Sequence, residues 1–407
     1  MRFVLANRHL VATGGTEVHL ATFGEHLVRL GHEVTLYAPQ LGAFAEHART
    51  RGLATAGELD ALPADCDVIF CQDAIVVHEL AERYPQALCV FRICGDVHDF
   101  QLPPQVGGIV DLVVVLSDRY ERIARAAAVQ VPILRLRAPI DIDRLVPIGQ
   151  IRERPRRAVL LGNYDARAEI VEATWSSLGV EVQRVGGALE RYDVAAAVAD
   201  ADIVVAKSRA ALDAMACGRA VYVYDVFGGD GWVTPEGYAA LEADMFAGQA
   251  TDRVIDADVL ASDLAGYAAS MGVANRDLVL QHHSARDHVV AFVGAISEHA
   301  PGERPHAPAP LRELSRLVAL QSSWEVTARE FRAMHWMMRD ELARQEQAAY
   351  AAHHAAAAAA ARAEHAEARA EHAEARAGHV EAQLAQIRAS RAWRLACRFY
   401  DMRRALR

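Results

Sequence analysis

The sequence predicts an α/β protein with two successive doubly wound sheets and a long carboxyl-terminal α-helix. Three observations carry this prediction. Strand and helix patterns alternate in the first three quarters of the chain, the alternation restarts once near its middle, and a proline-rich segment separates this part from an alanine-rich one. Alternating strands and helices are typical of parallel sheets covered by helices on both faces. A chain of 407 residues is long enough for two such domains and an appendage.

The first domain is predicted to span residues 1–145. Continuous apolar runs predict its strands, because strands buried on both faces lack polar alternation. The runs are RFVLA, EVTLYAP, CDVIFCQ, ALCVFRIC and DLVVVLS. An amphipathic helix is predicted from Thr16 to Leu30, and Gly31 ends it.

The second domain is predicted to span residues 146–299. Its predicted strands are RRAVLLG, GVEVQRVGG, ADIVVAKS and RAVYVYD. Its predicted helices cover 168–178, 209–217, 257–270 and 275–299. Ligands of doubly wound sheets bind outside the carboxyl ends of the strands, so the cleft between the two domains is the expected site.

The carboxyl-terminal part has three predicted segments. Residues 300–311, which begin with APGERPHAPAP, form a stiff linker because proline removes backbone donors and restricts its neighbours. Residues 312–388 form a long helix with an imperfect seven-residue repeat, Ala-Glu-His-Ala-Glu-Ala-Arg. Its apolar seam is mostly alanine, which leaves a solvated single helix and a weak helix-mediated oligomer equally open. Residues 389–407 form a basic amphipathic tail.

Charge and composition limit the expected partners and compartment. A formal net charge of -10 and a pI near 6.0 argue against nucleic acid as a partner. The amino terminus has no signal-peptide pattern, no apolar run is long enough to span a membrane, and the six cysteines form no Cys-x-x-Cys pair. We therefore expect a cytoplasmic protein, peripheral at most to the inner face of the membrane.

Four motifs resemble one known family. The first is the Gly-Gly loop before the predicted first helix, followed by E.HLA and LGHEV; the second is RICGDVHDF after a strong strand. The third is PIDIDRLVP. The fourth and most specific is the motif Asp-Ala-Met-Ala-Cys-Gly-Arg-Ala-Val, which starts at Asp213 within the predicted helix 209–217. Together they resemble the family-4-like GT-B glycosyltransferases of bacterial envelope polysaccharide synthesis.

The resemblance implies a fold, a reaction and a set of site residues. It implies two Rossmann-like domains, an acceptor domain first and a nucleotide-sugar domain second. The reaction is transfer of a sugar from a nucleotide-sugar to a cell-surface glycan or lipid-linked acceptor, with retention and without metal or cofactor. His98 is the implied catalytic residue. The implied donor-binding residues are Gly14, Gly15, Gly162, Asn163, Arg167, Lys207, Ser208, Arg209, Asp213, Gly228 and Gly229.

Individual interpretations stay open at several of these positions. A tight strand-to-helix turn is the alternative interpretation of the Gly-Gly loop. For Gly228 and Gly229, a glycine-rich surface loop and a loop over the donor are equally open. The amino end of the predicted helix 209–217, which contains Asp213, suits a diphosphate, because helix amino ends offer free N–H groups and a positive dipole. Histidines repeating every seven residues, His365, His372 and His379, are too far apart to share a metal.

Two departures from the family support a rival interpretation. Val205 stands where the family has a glutamate, and Asn163 lies where it has an arginine. The rival is a non-catalytic, degenerate GT-B protein that binds a sugar or nucleotide and assembles through the long helix. A GT-B sugar-nucleotide epimerase is a second rival.

The tail is expected to bind an anionic membrane surface. Aromatic and arginine side chains share its predicted helix, a combination that suits anionic lipid. The expected membrane-binding residues are Trp393, Arg394, Arg398, Phe399, Arg403 and Arg404. Docking of this helix on another protein or on the globular part is the alternative.

Overall fold

The structure is a computed structural model, and it describes residues 1–95, 99–104, 108–162, 168–186, 193–225, 228–251, 253–302, 309–391 and 394–395. The chain forms two compact units, Met1–Val326 and Thr327–Arg407. Both sheets belong to the first unit, so the two predicted Rossmann-like domains form one compact body.

The first domain is built on a seven-stranded parallel sheet. Its strands are β1 (Arg2–Ala6), β3 (Glu33–Tyr37), β5 (Ala54–Ala56), β6 (Val68–Cys71), β7 (Leu88–Arg92), β8 (Leu112–Val115) and β9 (Ile133–Arg135). The order is β5-β3-β1-β6-β7-β8-β9, and every pair is parallel. This is the strand order of the dinucleotide-binding Rossmann fold with one strand added at the edge.

Helices cover both faces of this sheet. They are α1 (Gly15–Arg29), α2 (Ala43–Thr50), α3 (Ala74–Arg83) and α4 (Asp118–Ala126), with 3₁₀ turns at Leu59–Ala61 and Asp99–Gln101. A small parallel pair, β2 (His9–Leu10) with β4 (Gln40–Leu41), lies beyond the carboxyl ends of β1 and β3. The predicted strands and the first helix are confirmed to within a few residues.

The second domain has a five-stranded sheet ordered β11-β10-β12-β13-β14. Its strands are β10 (Arg157–Leu161), β11 (Glu181–Val185), β12 (Ile203–Ala206), β13 (Ala220–Asp225) and β14 (Gly228–Trp232). Its helices are α5 (Ala168–Ser177), α6 (Val194–Ala197), α7 (Ser208–Ala216), α8 (Tyr238–Ala243), α9 (Ala257–Ala265) and α10 (Ser270–His282). The first four strands of the list pair in parallel, and β14 is antiparallel to β13.

The predicted helix over 275–299 is in fact two helices. The chain breaks at His283 and Ser284, and α11 (Ala285–Ile296) follows. The break has a tertiary cause, because Ile140 N donates to His283 O at 2.8 Å and Ala285 N donates to Ile140 O at 2.9 Å. The periodicity of residues 275–299 cannot predict these hydrogen bonds, because Ile140 lies far away in the sequence.

The last helix of the globular part returns to the first domain. Phe292 of α11 packs edge-on against Phe23 and Phe70, with ring centroids 5.0 and 5.6 Å apart. The predicted domain 146–299 is therefore not spatially continuous, since its final helix shares the core of residues 1–145. This crossing connects the two domains through buried apolar contact as well as through the chain.

The long helix is α12 (Ala309–Ala389). It begins three residues before the predicted start at 312, with Pro310 in its first turn, where a missing N–H costs no helical hydrogen bond. Its alanine-rich repeat is exposed throughout 348–360 and 362–389. Over the residues described, no helix is both long enough and apolar enough to cross a membrane.

Candidate functional site

The two sheets place their switch points opposite one another. In the first sheet, β1 has β3 on one side and β6, which comes later in the chain, on the other. In the second sheet, β10 likewise lies between β11 and β12. Such points open a crevice at the carboxyl ends of the strands. Asn7 follows β1, Gln72 follows β6, and Lys207 follows β12, so these residues lie at the carboxyl ends of the strands.

The start of α7 has a strained backbone. Ser208 has φ +49°, and it donates its N–H to the carbonyl of Phe246 at 2.8 Å. Met245 and Phe246 have φ +60° and +54°. These are three of the four non-glycine residues with positive φ among those the structure describes. Strain of this kind costs on the order of 1–3 kcal/mol per residue and collects at functional sites.

Lys207 is the capping residue of α7 and is the only lysine in the chain. It is partly exposed, as is Ser208, whereas the neighbouring Arg209 is buried. An ammonium group is a compact charge on a flexible stem and binds phosphate as a point charge, which a planar guanidinium does not reproduce. The structure thus places a unique cation at a helix amino end beside the cleft.

Arg209 and Asp213 form a buried pair on α7. Arg209 Nε lies 3.2 Å from Asp213 Oδ1, and its Nη2 donates to Thr22 Oγ1 of α1 at 3.2 Å. Burial raises the pKa of Asp213, and the charge of Arg209 opposes that rise. Both side chains were expected to face the donor, but in this structure they contact each other and the first domain, with exposures of 8% and 5%. Binding of phosphate by Arg209 and of ribose by Asp213 stays a prediction.

The Gly-Gly loop faces both domains. A Cβ atom on Gly15 would lie 3.9 Å from Arg209 Cβ, so the start of α1 approaches α7. A Cβ atom on Gly14 would lie only 2.3 Å from Glu17 Oε2. The Glu17 carboxylate therefore lies against Gly14 at the start of α1. A phosphate bound at this helix end would be repelled by that carboxylate. Contact of Gly14 with a donor stays a prediction.

Glu17 is a functional candidate that the sequence reasoning missed. It is 2% exposed and accepts hydrogen bonds from Asn7 Nδ2 at 3.0 Å and Thr16 Oγ1 at 2.8 Å. His9 Nδ1 lies 3.1 Å from Glu17 Oε1. A glutamate within the first turn after a Gly-Gly loop was visible in the sequence, but its contact with His9 depends on the turn after β1.

A second missed group lies behind this loop. Arg92, at the end of β7, is buried and donates to Gln72 Oε1, while Gln72 Nε2 donates to the carbonyl of Thr16 at 3.0 Å. His19 lies near Arg92 and Arg209, and burial, reinforced by both charges, lowers its pKa well below the usual value. His19 is therefore neutral. A lone arginine within the apolar run VFRIC was the available sequence signal.

Other predicted glycines have packing explanations. Gly162 has φ +142°, and a Cβ on Gly186 would lie 2.3 Å from its carbonyl oxygen, so two loops meet closely at the ends of β10 and β11. Gly228 and Gly229 belong to strand β14 rather than to a loop, which corrects the predicted local structure. Their contact with a donor stays a prediction. Their Cβ atoms would lie 2.7 Å from Gly248 O and 2.5 Å from Ile255 Cδ1.

Several predicted residues lie outside the described parts of the chain. They are His98, Asn163, Arg167, Trp393, Arg398, Phe399, Arg403 and Arg404. Arg394 is described and exposed, and its guanidinium donates to the carbonyl of Ala389 at 2.9 Å. The described residues include no group of three His, Cys, Asp or Glu side chains arranged to hold a metal ion.

Solved structures of similar architecture are GT-B glycosyltransferases. HepE of Anabaena, in complex with UDP and glucose, aligns with a TM-score of 0.48 and 14% identity over 73% of this chain and 99% of that one. An alpha-glucosyltransferase in complex with UDP and a 13-mer DNA containing a HMU base aligns at 0.49 and 13%, over 73% and 100%. VinC, a glycosyltransferase in complex with DTDP, aligns at 0.41 and 13%, over 74% and 100%. No protein-family model and no curated protein matches the sequence.

Proposed function

We propose that this protein is a glycosyltransferase that moves a sugar from a nucleotide-sugar to a glycan or lipid-linked acceptor. The observation that carries the proposal is the start of α7, where the only lysine and a strained Ser208 border the cleft at a sheet's switch point. A helix amino end and a cation together stabilise a diphosphate. They also stabilise the negative charge that grows on it as the sugar leaves.

The starts of α7 and α1 carry opposite charges. The start of α7 carries Lys207, and the start of α1 carries the Glu17 carboxylate. A diphosphate is attracted to the first and repelled by the second, so the proposed donor lies with its phosphates on the second domain. The acceptor hydroxyl then approaches from the first domain. This orientation agrees with the acceptor and donor assignments that the family resemblance implies.

Nucleotide binding tests the donor site. Calorimetry with UDP, GDP and dTDP identifies the nucleotide, and Lys207→Ala should weaken its affinity at least 10-fold. Arg157→Ala is the control, because Arg157 is exposed at the amino end of β10, whereas Lys207 follows the carboxyl end of β12. Equal affinity of the Lys207 variant and the wild type would remove Lys207 from the site.

Metal independence and retention are also proposed. The fixed cation and helix end supply the charge stabilisation that a metal would otherwise give. Turnover should therefore persist in excess EDTA. Retention rests on the sequence resemblance, and the anomeric proton coupling of the NMR spectrum of the product decides it directly.

The tail at 389–407 is proposed to bring the enzyme to an anionic membrane at the cytoplasmic face. Its nineteen residues include six arginines with interspersed aromatic and aliphatic side chains. The full chain should sediment with phosphatidylglycerol vesicles and not with phosphatidylcholine ones, and a chain ending at 388 should stay in the supernatant with both. Equal sedimentation of the two chains would contradict the proposal.

The degenerate, non-catalytic alternative has one structural observation in its favour. Asp213, which the family resemblance assigns to the ribose, is held by Arg209 in a buried pair. A protein that binds nucleotide but transfers no sugar from any UDP-, GDP- or dTDP-sugar to an acceptor extract would support that alternative.

A further inference from the structure

An apolar stripe lies exposed along α12 in the second compact unit, Thr327–Arg407. Its residues recur at two positions of a seven-residue repeat, named a and d, which lie on one side of a helix. We name the a and d residues from Phe331 to Ile387 the α12 seam. All of them are exposed, all are apolar except His335 and Gln345, and those between Gln345 and Val380 are all alanine. The large apolar side chains of the seam, 45–70% exposed, are Phe331, Met338, Leu342, Val380, Leu384 and Ile387.

The length and period of the α12 seam favour a long helix as its partner. A seven-residue repeat drifts by about 20° per heptad around a straight helix, so the seam turns by roughly 160° between Phe331 and Ile387. A flat surface cannot follow this turn, whereas a second helix that coils around the first can. That helix must be about 85 Å long, at about 1.5 Å per residue. Among the helices described, the next longest after α12 is α1 with 15 residues, so the partner of suitable length in this protein is a second copy of α12.

Charged residues flank the seam at the two adjoining heptad positions, with arginine at g and glutamate at e in successive heptads. The arginines are Arg362, Arg369 and Arg376, and the glutamates are Glu367, Glu374 and Glu381. No residue three or four positions away from any of them carries the opposite charge. Only residues at those two spacings face each other on a helix surface. The spacing of these charges therefore does not pair them within one helix, and it suits pairing with another helix.

We propose that α12 forms a parallel, in-register coiled-coil dimer with α12 of a second copy of this chain. In such a dimer, position g of one helix lies beside position e of the following heptad in the other helix, five residues further along the sequence. This spacing brings Arg369 to Glu374 of the second copy, and it brings each of the other two arginines to a glutamate in the same way. An antiparallel dimer would instead place g beside g and e beside e, which brings like charges together.

The residues of the seam are compatible with this register. Identical residues meet in an in-register dimer, so alanine packs on alanine, and the large side chains near the two ends of the seam bury most of the apolar area. Glu341 at g and Glu346 at e are the one like-charged combination by position, and Glu341 already lies 3.0 Å from Arg344 of its own helix. Both copies of the segment 389–407 then leave the coiled coil at the same end.

Charge reversal tests the partner and its orientation. Sedimentation equilibrium of the full chain over a concentration series should give twice the monomer mass of 44.4 kDa. Arg362→Glu with Arg369→Glu places glutamate at both g and e of these pairs, and Glu367→Arg with Glu374→Arg places arginine at both. Each variant alone should have a dimer dissociation constant about 10-fold higher or more, because like charges replace the pairs. An equimolar mixture of the two variants should regain the wild-type constant, since every pair is again arginine with glutamate.

Glu364→Arg with Glu371→Arg is the matched control for these variants. Both glutamates occupy position b, away from the seam, so reversing two charges there should leave the dissociation constant unchanged. A wild-type mass other than that of a dimer would overturn the proposal. Charge variants that dimerise like the wild type, or a mixture that does not recover, would also overturn it.

Cysteine cross-linking tests the register independently of the charges. Ala352→Cys and Ala373→Cys each introduce a thiol at position d, where identical residues meet in a parallel, in-register dimer. Both single variants should form disulfide-linked dimers under mild oxidation. Ala368→Cys, at the outer position f, should give only the background that the native cysteines produce in the wild type. An antiparallel dimer can align at most one of the two d positions with itself, so cross-linking of only one variant, or of neither, would overturn the proposed orientation.

Discussion

Arg209 of the second domain donates a hydrogen bond to Thr22 Oγ1 of the first, across 3.2 Å. The same guanidinium contacts Asp213 one turn later on its own helix, and its Nη1 is buried without a partner among the described residues. One arginine therefore connects α7 of the second domain to α1 of the first. A ligand that draws Arg209 away must break the contact between the domains.

Thr22→Val removes the acceptor of this bond and keeps the shape of the side chain. A hydrogen bond to a charged donor contributes about 1.5–3 kcal/mol, so the free energy of unfolding should fall by a similar amount. Urea denaturation measures it. Thr22→Ser keeps the hydroxyl and should lose much less. Equal stability of the valine and serine variants would show that the cross-domain bond does not stabilise the fold.

Gly14→Ala should displace the Glu17 carboxylate, because the new Cβ would lie 2.3 Å from Oε2. We expect a lower free energy of unfolding, because the Glu17 carboxylate would lose its hydrogen bonds to Asn7 and Thr16. The matched control is Gly294→Ala in α11, where a Cβ meets no atom within 4 Å. Alanine in a helix interior is better than glycine by about 1 kcal/mol, so the control should raise the melting temperature. A Gly14 variant as stable as the wild type would contradict the position of the carboxylate.

Asp73 should make stability fall as the pH rises from about 4 to about 6. Burial raises the pKa of Asp73 to about 6, while Arg8 opposes the rise. Over this window the folded state keeps a proton that the unfolded chain has released, so raising the pH favours unfolding. Asp73→Asn keeps the oxygen that caps α3 through Ile75 N at 2.9 Å but cannot titrate. The stability difference between the two proteins should change by roughly 3 kcal/mol across the window. A constant difference would refute the raised pKa.

The sequence was sufficient for the sheets and insufficient for part of the site. Apolar runs such as VIFC and LVVV are buried on both faces, so their composition alone indicates central parallel strands. The start of α7 was also predictable, because a strand, a polar turn and a periodic helix follow one another locally. The pairing of Arg209 with Asp213 follows from their i, i+4 spacing and could have been anticipated.

The features that the sequence did not predict depend on contacts between residues far apart in the chain. Gly228 and Gly229 suggested a loop because glycine favours turns, but approach to Gly248 and Ile255 requires glycine within a strand. The break at His283 depends on Ile140, far away in the chain. The contact of His9 with Glu17 joins two turns whose relative position is fixed only when α1 packs on the sheet.

The single lysine allows a direct test of the proposed donor site. Reductive methylation with ¹³C-formaldehyde labels Lys207 and the α-amino group and no other position, since the chain has one lysine. We predict that the nucleoside diphosphate that binds in calorimetry shifts the Lys207 methyl signal saturably and leaves the α-amino signal unchanged. Saturable nucleotide binding with an unmoved Lys207 signal, or no binding of UDP, GDP or dTDP at all, would contradict the account.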